Sequence, residues 1–167
     1  MAEKLAHFET EKELLVCTFV LGNGGLFGID ATLIQEVAMT AEITPVRHAP
    51  DFVAGIRNLR GRVITVIDLS ARLGLAAVRR GPESRVLIAD WRGEPVGLLV
   101  NRVCEAVAIE PGSLERAPSN LQSVQMQKLQ GVFRSGGRLA ALLDLAAALD
   151  TEERTGKQAS EEEHRGA

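Results

Sequence analysis

The sequence predicts a mainly β protein of small barrels, assembled from two diverged copies of one strand-rich unit. Three observations lead there. Short runs rich in Val, Leu, Ile and Phe alternate with glycine-rich turns, few long helical segments fall between them, and landmarks of the first half recur in order in the second.

Taken in order, residues 1–12 are polar and expected to be a flexible N-terminus. Leu14 to Leu21 reads as a strand that ends at Gly22-Asn23-Gly24-Gly25, and Phe27-Gly28-Ile29 returns as its hairpin partner. Asp30 suits an N-cap, and Leu33, Ile34 and Val37 take the spacing of a short helix's apolar face. Further strands are expected at Ile43–Val46 and Val63–Ile67, the second ending at Asp68, with a short helix through Arg72 to Gly74. Arg79-Arg80-Gly81-Pro82 is the clearest internal boundary. Val86–Ala89 and Val96–Val100 form a second hairpin around Arg92-Gly93-Glu94. A polar stretch, Pro111 to Gln127, precedes Val132-Phe133 and Leu139–Leu143. The expected organisation is a folded body over 13–149, with a first subdomain near 13–80 (a contribution from the C-terminal segment being allowed) and a second near 83–143. Residues 150–167 are expected to be a disordered acidic tail.

The repeat is the most informative feature. At a shift of 69, Gly28 falls on Gly97, Ile34 on Val103 and Glu36 on Glu105; after a seven-residue insertion the shift is 76, and Gly55, Gly61, Asp68 and Leu69 fall on Gly131, Gly137, Asp144 and Leu145. Glycines common to both copies point to backbone requirements. Asp68 and Asp144 each close a strand before a short helix, where a carboxylate caps free N–H groups. Residues that differ between copies are free of those demands and are the better functional candidates. Asn58 lies opposite Arg134, and Arg60 opposite Gly136.

Composition excludes several classes. The net charge is −3, and six acids against three bases in residues 150–167 account for all of it. A formally neutral body offers no footprint for nucleic acid or anionic lipid. Cys17 and Cys104 sit in apolar runs without a CxxC or a histidine at metal-ligand spacing, and read as thiols of a reducing compartment. The N-terminus has no apolar signal-peptide region, and the longest apolar stretches are too short to span a bilayer. His7, His48 and His164 have no ligand spacing, and no phosphate cradle or nucleophile elbow occurs. Cys104-Glu105 lacks a histidine to activate a thiol. The expectation is therefore a cytoplasmic binding protein with no catalytic residues, no metal and no cofactor.

The remaining feature is a charged turn. Arg57, Arg60 and Arg62 bracket Gly61, and Glu36 of the same copy can pair with Arg60 to orient its guanidinium.

The run from Phe52 through Asn58-Leu59-Arg60-Gly61-Arg62-Val63 to Asp68-Leu69 closely resembles the signature of the CheW family of chemotaxis coupling proteins. Phe27-Gly28-Ile29-Asp30, Ile34-Gln35-Glu36-Val37, Val96–Val100 and Leu114–Pro118 resemble its other marks, so the likeness spans roughly residues 13–149. Thr65 and Ser70 depart from the pattern, where the family usually has proline and an arginine or similar residue. The resemblance implies two SH3-like five-stranded barrels with a few short helices. It implies a non-catalytic adaptor joining chemoreceptor cytoplasmic tips to the regulatory domain of the histidine kinase CheA, in arrays at the membrane that can include other CheW-like proteins. Combined with the repeat comparison, it implies receptor contacts at Ile34, Gln35, Glu36, Asn58, Arg60 and Val63; kinase contacts are not legible. The alternative is a detached kinase-regulatory module that binds kinase and not receptor.

Overall fold

The computed structural model describes residues 12–117 and 127–150. Among the described residues, ten strands form two five-stranded sheets. β1 (Leu14–Leu21) and β2 (Gly25–Asp30) make the first hairpin, and β3 (Ile34–Met39), β4 (Val53–Leu59) and β5 (Arg62–Asp68) follow. Helix α1 (Leu69–Arg72) leads to β6 (Arg85–Trp91), β7 (Glu94–Val100) and β8 (Arg102–Ile109). Then come β9 (Leu129–Ser135), β10 (Arg138–Leu143) and helix α2 (Leu145–Leu149). The expected flexible N-terminus, the acidic tail and much of the polar stretch before residue 127 lie outside the described residues.

One sheet has the order β8-β1-β2-β10-β9 and the other β3-β6-β7-β5-β4. Under the repeat, β1 to β5 correspond to β6 to β10, and each order maps onto the other. The copies have exchanged strands: β1 and β2 of the first join β8, β9 and β10, while β6 and β7 of the second join β3, β4 and β5. The seams of this exchange are the antiparallel pairs β1–β8 and β3–β6 and the parallel pairs β2–β10 and β5–β7. The subdomain limits near 13–80 and 83–143 are therefore not where the sheets part. Arg79–Pro82 lies between α1 and β6, inside the run of strands that builds the second sheet. Its Gly-Pro turn is a real break in the chain's direction but not in its architecture.

Two other expectations change. Residues 31–33 form a single 3-10 turn capped by Asp30, whose carboxylate accepts from the Thr32 N–H at 2.9 Å. The chain then enters β3, so Ile34, Glu36 and Val37 lie on a strand. Pairing with β6 supplies the backbone partners that a helix would have supplied internally. The strand expected over 43–46 is one isolated bridge between Thr44 and Ile56.

The repeat's shared residues show why they are shared. A Cβ on Gly55 would meet the Thr44 carbonyl oxygen at 2.3 Å, and one on Gly131 the Glu115 oxygen at 2.6 Å. In both copies the incoming chain crosses the strand too closely for a side chain, and the Thr44–Ile56 and Glu115–Val132 bridges occupy that place. Asp68 accepts from the Ala71 N–H at 3.0 Å and Asp144 from Ala147 at 3.1 Å, so both act as N-caps. Asp68 also accepts from Val78 at 2.9 Å.

Three apolar clusters follow. Val16, Val20, Leu26, Phe133, Ala140 and Leu142 fill one barrel, and Ile64, Val66, Val86, Ile88 and Leu99 fill the other. The third, with Phe19, Leu21, Leu69, Leu87, Leu98, Leu143 and Leu149, draws on both sheets and both helices and fixes them against each other. Polar groups stitch the same junction. Buried Ser70 accepts from the Gly22 N–H at 3.1 Å, and the Lys128 ammonium reaches the Arg72 carbonyl at 3.1 Å. Burial, and secondarily the charge of Arg72, lower the Lys128 pKa. No helix among the described residues is long and apolar enough to cross a membrane.

Candidate functional site

β4 and β5 are joined by the two-residue turn Arg60-Gly61, with φ of 52° and 84°. Two positive φ values in a two-residue hairpin match the right-handed twist of the strands. Gly61 takes that conformation freely; Arg60 does not. The equivalent turn in the second copy is Gly136-Gly137, with φ of 55° and 78°. Closely matching φ values with glycine at both places show that the turn itself has no need of an arginine. The Asn58 carboxamide oxygen accepts from the Gly61 N–H at 2.9 Å and fixes the turn from its base.

From this position Arg60 reaches Glu36 on β3, with Nη2 donating to Oε2 at 2.6 Å. The arginine side chain is 81% exposed and the glutamate 30%. Arg57, two residues before the turn's first strand ends, donates to the Met39 carbonyl. β3 and β4 are the two edges of their sheet, so these contacts close the barrel at its rim.

The outer surface beside the turn is apolar in patches. Asn58 pairs directly with Val63 across β4 and β5, which puts the two on one face. Val63 is 67% exposed, and Val37 and Met39 are about half exposed on β3. A cleft of about 300 Å³ continues from Val63 along Thr65 and Ile67 to Phe52, Trp91, Pro95 and Leu149. Arg72 lies at its edge, its guanidinium 4.5 Å from the centre of the Phe52 ring.

The six sequence candidates are thus only partly brought together. Glu36, Asn58 and Arg60 share the turn, and Val63 adjoins it. Gln35 is exposed on β3, while Ile34 is half-buried, paired with Ala89 and packed on the central cluster. Ile34 therefore belongs mainly to the packing between the barrels. Of the two departures from the family pattern, Thr65 lines the cleft and Ser70 is buried away from it. Sequence reasoning missed Met39 and Trp91, and it turned Val37 inward by placing it on a helix. Strand alternation in Gln35, Val37 and Met39 was the available signal.

The thiols have no comparable setting. Cys17 is buried, and burial, with the nearby Cys104 second, raises its pKa. No group of three potential metal ligands occurs among the described residues.

A charged turn beside a partly apolar cleft, on two interlocked barrels, has the geometry of a binding surface. The CheW-like domain family matches residues 16–153. The chemotaxis protein CheW of Thermotoga maritima is 32% identical over 134 residues, covering 80% of this chain and 86% of the relative. That of Rhizobium meliloti is 30% identical over 128 residues, covering 77% and 83%. Protein FrzA of Myxococcus xanthus is 25% identical over 126 residues, covering 74% and 78%. Among solved structures, the scaffolding protein TtCheW from Thermoanaerobacter tengcongensis superposes with a TM-score of 0.75 at 28% identity, covering 84% of this chain and 95% of that one. The chain belongs to the CheW family of chemotaxis adaptor proteins.

Proposed function

We propose that this protein couples chemoreceptor cytoplasmic tips to the histidine kinase CheA, as a cytoplasmic, non-catalytic adaptor in receptor arrays. The receptor's helical hairpin lays its apolar face against Val63 and the adjoining cleft, while Glu36, Asn58 and Arg60 set its register. An amphipathic helix in an apolar groove needs only complementary shape and a few oriented polar groups. The kinase's regulatory domain engages elsewhere on the barrels.

The observation that carries this reading is Arg60. It holds a left-handed backbone that glycine fills at the equivalent turn, its guanidinium is aimed by Glu36, and most of its side chain remains in solvent. An arginine kept against its conformational preference and left exposed is placed to meet a partner. Capture of a receptor-tip fragment and of the CheA regulatory domain by the same protein tests it. Arg60→Glu should abolish receptor capture and leave kinase capture intact. Unchanged capture of both would remove Arg60 from the site. Kinase capture by the unaltered protein, without receptor capture, would instead identify a detached kinase-regulatory module. Restoration of receptor-controlled CheA autophosphorylation by the purified chain tests the coupling itself.

A further inference from the structure

The connection from α1 to β6 has no part in the reading above, yet it is tightly built. Ser84 is 2% exposed; its hydroxyl accepts from the Gly81 N–H at 2.9 Å and donates to the Arg79 carbonyl at 3.3 Å. Arg85 braces the same loop, donating to the Pro82 and Ser84 carbonyls at 2.8 and 2.7 Å. The Arg79-Arg80-Gly81-Pro82 run is therefore tied at both ends.

A cavity of about 390 Å³ separates this loop from the other barrel. Arg79, Glu83 and Ser84 wall one side; Val20 of β1, Asn101 and Arg102 at the start of β8 wall the other. Asn101 is anchored as well. Its backbone N–H donates to the Val20 carbonyl at 3.1 Å, and its carboxamide oxygen accepts from the Ser70 hydroxyl at 3.3 Å.

Charge here departs from the neutral body. Arg79 and Arg102 are the cations of the cavity wall and Glu83 its single acid, with Arg80 and Arg85 close by in sequence. Arg79 and Arg102 are exposed, and neither makes a hydrogen bond or ion pair among the described residues. At the repeat shift of 69, Arg102 falls on Leu33, which packs against the central cluster. The fold accepts an apolar residue at that place, so Arg102 is free of its demands. Guanidinium forks without carboxylate partners match the oxygens of a phosphate. A concave site of this size takes a compact ligand, and no aromatic ring lines it to stack a nucleobase.

We propose that this cavity binds a diphosphate group, free or at the end of a nucleotide, with Arg79 and Arg102 engaging it from opposite barrels. Because the wall comes from both barrels, the bound anion ties them together and stabilises the folded chain. The site is independent of the receptor surface proposed above.

Calorimetric titration of the full chain with sodium pyrophosphate, at ionic strength held near about 0.1 M with NaCl, tests it. One equivalent should bind, and the urea midpoint should rise with pyrophosphate above its value in matched NaCl. Arg79→Gln and Arg102→Gln should each weaken binding about tenfold, since each removes charge-assisted hydrogen bonds. Glu83→Gln should tighten it about threefold, and Arg47→Gln, at an exposed arginine of a distant loop, should leave it unchanged. All three arginines lack hydrogen bonds among the described residues, so their variants should keep the native circular dichroism spectrum. Titration with ADP separates the sources. Binding as tight as that of pyrophosphate identifies a nucleotide's diphosphate as a ligand, and rejection of ADP identifies the free anion. No binding of pyrophosphate beyond the NaCl control overturns the proposal. So does binding that survives both Arg79→Gln and Arg102→Gln, or that falls equally in Arg47→Gln.

Discussion

Arg60 shows how a single residue separates the demands of fold and function. A left-handed backbone costs a non-glycine residue about 1–2 kcal/mol. An exposed ion pair returns about 0.2–1 kcal/mol, so the pair with Glu36 does not offset the strain. Arg60→Gly should therefore change unfolding free energy by less than about 1 kcal/mol in urea, the gain in native geometry being opposed by a freer unfolded chain. The same substitution should remove receptor capture, which separates a binding role from a structural one. Asn58, Arg60 and Glu36 were legible because one copy of the repeat departs from the other at the turn, and because a family likeness pointed to the glutamate. Cys17 and Cys104 look alike in sequence and differ in the fold. Burial raises the Cys17 pKa, so the folded state holds that proton more tightly than the unfolded chain does. Its contribution to stability is complete below the ordinary thiol value of 9.0 and is lost as pH rises through it and beyond. Alkylation of the native protein near pH 8 should modify half-buried Cys104 and spare Cys17, as peptide mapping would show.

The two long hairpins and the caps were readable because each depends on neighbours in sequence, whereas β4 and β8 were not among the expected strands. Both long hairpins and both capping aspartates stand where Val, Leu and Gly spacing puts them. Asp68→Ala and Asp144→Ala should each destabilise the protein by about 1 kcal/mol. The Asp68 variant should lose more, since its carboxylate also holds the Val78 N–H. Gly55→Ala places a methyl against the Thr44 carbonyl and should cost more than about 2 kcal/mol, measured as a lowered midpoint in urea. β3 misled because Leu33, Ile34 and Val37 satisfy a helical spacing. Nothing local reports that β6 will offer this segment an edge to pair with. Assignment to the strand reverses the direction of Val37 and brings Met39 to the surface beside it, so this exposed apolar pair followed from tertiary pairing.

At the scale of the molecule, the repeat was legible and its strand exchange was not. A repeated sequence reports equivalence between segments; which copy each strand joins depends on contacts between distant residues, at the β1–β8, β3–β6, β2–β10 and β5–β7 seams. Neither half of the repeat holds a complete sheet. Fragments 1–80 and 83–167 should each be unfolded by circular dichroism and should recover the native spectrum when mixed. Independent folding of either fragment would contradict the exchanged topology. The same topology imposes an order on birth at the ribosome. Strands β3 to β7 run without interruption from residue 34 to residue 100, so their barrel is complete as soon as that stretch has emerged. The β1–β2 hairpin emerges first and must wait for β8, β9 and β10, the last ending at Leu143. At about 5–20 residues per second, that leaves its edges unpaired for several seconds or longer. For that interval the nascent chain carries an open, apolar hairpin, and this is where a chaperone would be expected to act.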